Sequence, residues 1–141
     1  RRVLFRSQHL TAELVGRFTA ERSPLPAIAL TTNQAILTAW SNDYSFAEVF
    51  QRQIEALGVA GDVALGISTS GTSANVVNGL RRARERGLRT IGMTGASGGG
   101  MQPLCDVLLA VPLDSTARIQ EVHLVTYHGI CALLEQRLFG H

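Results

Sequence analysis

Short apolar runs alternating with amphipathic stretches constrain this chain more than any other feature. Residues 27–30, 62–68, 89–94 and 106–111 are compact, mostly apolar runs. Between them, apolar positions recur at helical spacing. Leu10, Leu14 and Phe18 mark a helix over 8–19, and Phe46, Val49, Phe50, Ile54 and Leu57 mark another over 46–57. Residues 73–86, closed by Gly87 as the residue after the helix, and 116–138 read as two more. Thr32 or Asn33 caps a helix through Trp40, with a turn at Asn42 and Asp43. Runs without polar alternation need cover on both faces, which a parallel sheet between helical layers provides. The expected fold is α/β, a three-layer αβα sandwich with a doubly wound parallel sheet that binds ligands at the carboxyl ends of its strands.

The totals exclude several function classes. With 141 residues, 45% hydrophobic and 17% charged, the chain is globular rather than disordered. A net charge of +2 is too small to argue for nucleic acid, and Arg81, Arg82, Arg84 and Arg86 read as a solvated helix face. No apolar run is long enough to span a bilayer. Cys105 and Cys131 have no paired spacing and read as core filler in a reducing compartment. With no signal-peptide pattern, the expected location is the cytoplasm.

The second apolar run opens into a turn dense in hydroxyls. Ser68, Thr69, Ser70, Thr72 and Ser73 supply five of the ten residues 66–75, just before a helix. Backbone N–H groups, the positive end of the helix and the hydroxyls together make a pocket for a phosphate monoester without any lysine. The same residues also suit a plainer role, with Ser73 capping the helix and the others decorating an exposed turn.

A second constellation lies on the first and last helices. His9 and Glu13 are four residues apart, so roughly 40° separates them and they share a helix face. On the last helix Gln120, Glu121, His123 and His128 interrupt an apolar pattern. Glu121 and His128 nearly eclipse one another, while Gln120 and His128 are about 80° apart. Imidazole with carboxylate or amide oxygen suits a divalent metal such as zinc. Spacing alone favours a surface pair on one helix and hydrogen-bonded histidines on the other, because no HExxH-type signature is present.

The stretch 66–75 resembles the phosphosugar loop of SIS (sugar isomerase) domains. Residues 8–18 and 117–124, with 25–30 and 41–44, narrow the resemblance to phosphoheptose isomerases. It implies a five-stranded parallel αβα sandwich in a homotetramer whose active sites lie between subunits. The implied reaction interconverts sedoheptulose 7-phosphate and D-glycero-D-manno-heptose 7-phosphate, toward ADP-heptose for lipopolysaccharide cores. The family's zinc ligands fall on His9, Glu13, Gln120 and His128. Its phosphate-binding residues fall on Ser68, Thr69, Ser70 and Ser73. Asp43 matches a polar active-site position and Arg17 a basic residue near the site. By the same resemblance Glu13 takes the carbon-bound proton, and His128 serves as acid and base at the sugar oxygens. Gln120 doubles as a substrate-side group.

The resemblance also marks two departures. The family's N-terminal helices, first strand and Gly/Ser-rich loop would precede His9, with residues 2–5 in the place of that strand's end, so residues 1–7 read as a truncated or non-native lead and 8–141 as the SIS domain. A chain with that lead is expected to have impaired or no activity. Ala117 stands where an acidic residue is often found. Other functions on this fold are binding of the DnaA replication initiator without catalysis, or sensing of a phosphosugar. Glu13 and His128 argue against the initiator-binding protein, which lacks the metal-site acid and the final histidine.

Overall fold

The computed structural model describes residues 2–140. Arg1 and His141, the outer ends of the two segments read from the sequence, lie outside the described residues. Five α-helices, α1 (Arg2–Val15), α2 (Gln34–Asp43), α3 (Val49–Leu57), α4 (Ala74–Glu85) and α5 (Thr116–Phe139), accompany three strands, β1 (Val63–Ile67), β2 (Arg89–Gly95) and β3 (Val107–Val111). Two short 3-10 segments, Phe46–Glu48 and Gly99–Leu104, precede α3 and β3. The chain forms two compact units. One takes in the chain up to Thr32 together with the stretch from Gln120 onward, and the other is Asn33–Ile119.

The Asn33–Ile119 unit carries the sheet. Its strands run parallel in the order β1-β2-β3, with Val63 opposite Arg89 and Ile67 opposite Met93. The second pairing runs from Ile91 opposite Val107 to Gly95 opposite Val111. Val76 and Leu80 of α4 form a buried cluster with Met101, against which Phe50, Ala64, Val77, Leu104 and Cys105 pack. Those residues link α3, α4, β1 and the 3-10 segment before β3 into one core. Asp106 ties the start of β3 to β2 by accepting the Thr90 N–H at 2.8 Å. That bond outweighs the smaller opposing effect of desolvation and holds the carboxyl below its usual range.

Local signals set most element ends. Asn33 Oδ1 accepts the Ile36 N–H at 3.1 Å and starts α2 where a cap was expected. Gly87 follows α4 with φ 78°, the left-handed residue anticipated there.

Four expectations are corrected. Residues 27–30 form no strand, because they join no ladder among the described residues and turn instead through Thr32 N–H to Ala29 O at 3.2 Å. Ala29 is buried, yet Ile28 is 68% exposed. The described sheet has three strands, where the resemblance implied five. Residues 2–5 belong to α1 rather than to a strand end, and α1 stops at Val15 instead of reaching residue 19. Arg22 accounts for that early stop: its guanidinium donates to the last-turn carbonyls of Glu13 at 2.7 Å and Leu14 at 3.0 Å.

Candidate metal centre and anion-binding loop

The hydroxyl-rich turn is built by β1 running into α4. Ser68 is 1% exposed and its N–H continues the sheet by donating to Met93 O at 3.0 Å. Its hydroxyl lies 2.8 Å from that of Ser73 and 3.4 Å from that of Ser70. Ser73 occupies the N-cap position of α4, but its hydroxyl makes no capping bond to the helix. The plainer reading of Ser73 as a helix cap is thereby set aside. Its side chain turns into a hydroxyl cluster at the positive end of a three-turn helix, an arrangement suited to an anion. Ser70 Oγ in turn accepts from the Thr72 N–H at 3.2 Å and the Thr72 hydroxyl at 2.9 Å. Thr69 holds the turn through its backbone, whose carbonyl accepts the Gly95 N–H at 2.8 Å.

Gly71 makes the turn possible. It sits at φ 68°, and a Cβ there would lie 2.2 Å from Gly98 O. Its carbonyl accepts the Met101 N–H at 3.1 Å, locking the hydroxyl turn to the turn after β2.

In the other unit, α1 and α5 bring His9, Glu13 and His128 together. One potential ligand atom from each lies within 4.8 Å of the others. His9 Nε2 is 3.0 Å from Glu13 Oε1, the one-turn pairing read from the sequence. The His9 and His128 rings meet edge to face with centroids 5.1 Å apart. His128 Nε2 is buried and has no hydrogen-bond partner. Leaving a buried imidazole nitrogen unmet is costly, and a cation would satisfy it. Two imidazoles and a carboxylate also form the donor set that first-row divalent metals prefer. The residues therefore fit a metal ion.

A buried clamp holds this end of α1. Glu135 on α5 accepts the N–H groups of Phe18, Thr19 and Ala20 at 2.9–3.0 Å and pairs with Arg22 Nε at 3.0 Å. Desolvation pushes the Glu135 carboxyl up, but these hydrogen bonds outweigh it and hold it at about 2, against 4.5 for a free glutamate. A carboxyl depressed on folding stabilises the native state above its unfolded pKa, and that contribution is lost as pH falls from about 4.5 to about 2. Acid unfolding followed by circular dichroism should show it. Glu135→Gln is expected to be less stable than wild type at pH 7, with the gap narrowing as pH drops through that window. A gap independent of pH would refute the assignment.

The remaining candidates resolve individually. Arg17 pairs with Glu21 on the surface at 2.8 Å. Asp43 ends α2 with its side chain exposed, and Glu121 is exposed on α5. Gln120 is half-buried on α5, eight residues before His128. His123 is fully buried with Nδ1 3.0 Å from the Arg6 guanidinium, so it is a core histidine. Burial pushes the Cys131 thiol up to about 11 and raises that of Cys105, in keeping with core filler. Sequence reasoning passed over Tyr127, Arg22 and Glu135. Tyr127 is wholly buried beside His128, and its hydroxyl lies 2.7 Å from His9 Nδ1. The only signal for it was a polar tip within an apolar helical pattern.

Residues 5–95 match the SIS domain family model. The chain is 57% identical over 132 residues to a phosphoheptose isomerase of Maridesulfovibrio salexigens, covering 94% of this chain and 64% of that protein. It is 58% identical over 134 residues to one from Geotalea daltonii, covering 95% of this chain and 70% of the relative. The chain thus spans about two thirds of the length of these relatives. Among solved structures, it is similar to the phosphoheptose isomerase of Neisseria gonorrhoeae with a TM-score of 0.89 at 45% identity, over 94% of this chain and 71% of that one. A phosphoheptose isomerase from Francisella tularensis matches with a TM-score of 0.87 at 42% identity, over 92% of this chain and 69% of the other.

Proposed function

The chain belongs to the phosphoheptose isomerase family of SIS-domain proteins, and on that premise we propose that it interconverts sedoheptulose 7-phosphate and D-glycero-D-manno-heptose 7-phosphate. The observation that carries this reading is the meeting of His9, Glu13 and His128 from opposite ends of the sequence. A hydroxyl cluster at a helix N-terminus supports a phosphate ester as the substrate's anchor.

The reaction moves a proton between C1 and C2 of the sugar through an enediol. Glu13 takes the carbon-bound proton and returns it to the neighbouring carbon. His128 shuttles the hydroxyl proton between the two oxygens. Ser68, Thr69, Ser70 and Ser73 bind the phosphate, so binding energy far from the reacting carbons orients them. Gln120, Asp43 and Arg17 contact the sugar. His9, Glu13, Gln120 and His128 would hold a zinc ion, which would supply Lewis acidity toward the sugar carbonyl when bound.

We place the protein in the cytoplasm, in the pathway toward ADP-heptose and the lipopolysaccharide core. No described helix is long and apolar enough to cross a membrane. We also propose a homotetramer, supported by exposed Val125 (69%), Leu133 (57%) and Leu138 (57%) on α5, apolar groups that a second copy would cover.

The test is conversion of sedoheptulose 7-phosphate by zinc-loaded protein, followed by product chromatography. Turnover that disappears on chelation and returns with zinc supports the proposal, and protein that neither binds zinc nor converts the sugar refutes it. Ser73→Ala removes one hydroxyl from the phosphate cradle. Losing one hydrogen bond to a charged group, worth about 1.5–3 kcal/mol, should raise KM by roughly 10- to 100-fold with little change in kcat. An unchanged KM would detach Ser73 from phosphate binding.

A further inference from the structure

We infer that Tyr127 is a positioning residue that turns His9 toward a cation, a role that rests on the metal-site reading above. A neutral imidazole carries one hydrogen and one free lone pair. For His9 Nε2 to bind a metal beside Glu13, the hydrogen must sit on Nδ1. His9 is only partly buried, but its Nδ1 faces the wholly buried Tyr127, and an N–H there needs an acceptor. The Tyr127 hydroxyl, 2.7 Å from Nδ1, is placed to accept it.

A hydroxyl can donate as well as accept. The same contact therefore serves His9 when Nε2–H donates to Glu13 Oε1, 3.0 Å away, and when Nε2 offers its lone pair to a cation. Tyr127 also fixes the plane of the ring. It is wholly buried, and its ring meets His9 and His128 edge to face at 5.4 and 5.0 Å. Because Tyr127 precedes His128 on α5, one helix presents both a candidate ligand and the group that orients the other histidine. An outer-shell acceptor of this kind fixes ring orientation and tautomer and raises ligand basicity.

The test is zinc affinity, measured by competition with a chromophoric chelator, together with nitrogen NMR of the His9 ring. Tyr127→Phe keeps the ring packing and removes only the hydroxyl. Zinc affinity is expected to fall roughly 10- to 100-fold, with His9 losing a single Nδ1–H form. Affinity within twofold of wild type and an unaltered His9 ring spectrum would overturn the role while leaving the metal site standing. If wild type binds no zinc, and His9→Ala changes nothing, the metal reading fails and this role fails with it. Should Tyr127→Phe fold poorly, the zinc-loaded wild-type spectrum decides. Metal on Nε2 with hydrogen on Nδ1 supports the role, and metal on Nδ1 refutes it.

Discussion

Glu13→Gln is expected to lower isomerase turnover by roughly 10²- to 10⁴-fold, the range for removing a positioned proton-transfer group. The change conserves shape, and the amide oxygen can still accept from His9 Nε2, now 3.0 Å from the carboxylate. What disappears is the negative charge, which serves both as a base and as a metal ligand. Parallel measurements separate these roles. His9→Ala should reduce bound zinc first and turnover as a consequence. Glu13→Gln that keeps its zinc yet loses turnover would assign Glu13 mainly to proton transfer. Undiminished turnover together with full zinc content would remove Glu13 from the mechanism altogether.

Gly71→Ala is expected to destabilise the fold by about 3 kcal/mol or more and to abolish phosphate-ester binding. A left-handed conformation costs a non-glycine residue roughly 1–2 kcal/mol. The larger penalty is steric: the added Cβ would sit 2.2 Å from Gly98 O, 2.5 Å from Gly98 C and 2.9 Å from Gly99 N. These are backbone atoms, so no rotamer change relieves them, and the two turns must separate. That movement breaks the Met101 N–H to Gly71 O bond and takes Ser70 and Ser73 out of register. Gly129→Ala is the matched control, since a Cβ there meets nothing within 4 Å in the middle of α5. Relief of the glycine penalty in a helix should make that variant more stable by about 0.5–1 kcal/mol. Urea unfolding of both variants measures the contrast. Equal midpoints for Gly71→Ala and wild type would show that the turns are not locked as described.

Residues that bury or cap locally were readable before any coordinates. The apolar runs read at 62–68, 89–94 and 106–111 became the three parallel strands, and Asn33 and Gly87 bounded helices as their chemistry requires. Residues 27–30 have the same apolar look but no strand, because composition records a preference for burial and not the presence of a partner to complete a ladder. Gly71 drew no notice in the sequence, since its need comes from a turn 27 residues further on.

The first half of the metal centre was legible for a simple reason: His9 and Glu13 lie one helical turn apart, and helix geometry alone puts them on a common face. Periodicity carries no such information about His128, and spacing alone favoured an ordinary hydrogen-bonded histidine there. Only the packing of α1 against α5 decided that its Nε2 would be buried without a partner beside that pair, and that Tyr127 would reach His9. His123, five residues earlier on the same helix and of the same chemistry, was instead paired with Arg6. Local sequence determined which side chains could do chemistry, because helix and strand periods are short-range. Which of them meet was decided by long-range packing, which fixes how each polar group inside the protein is satisfied.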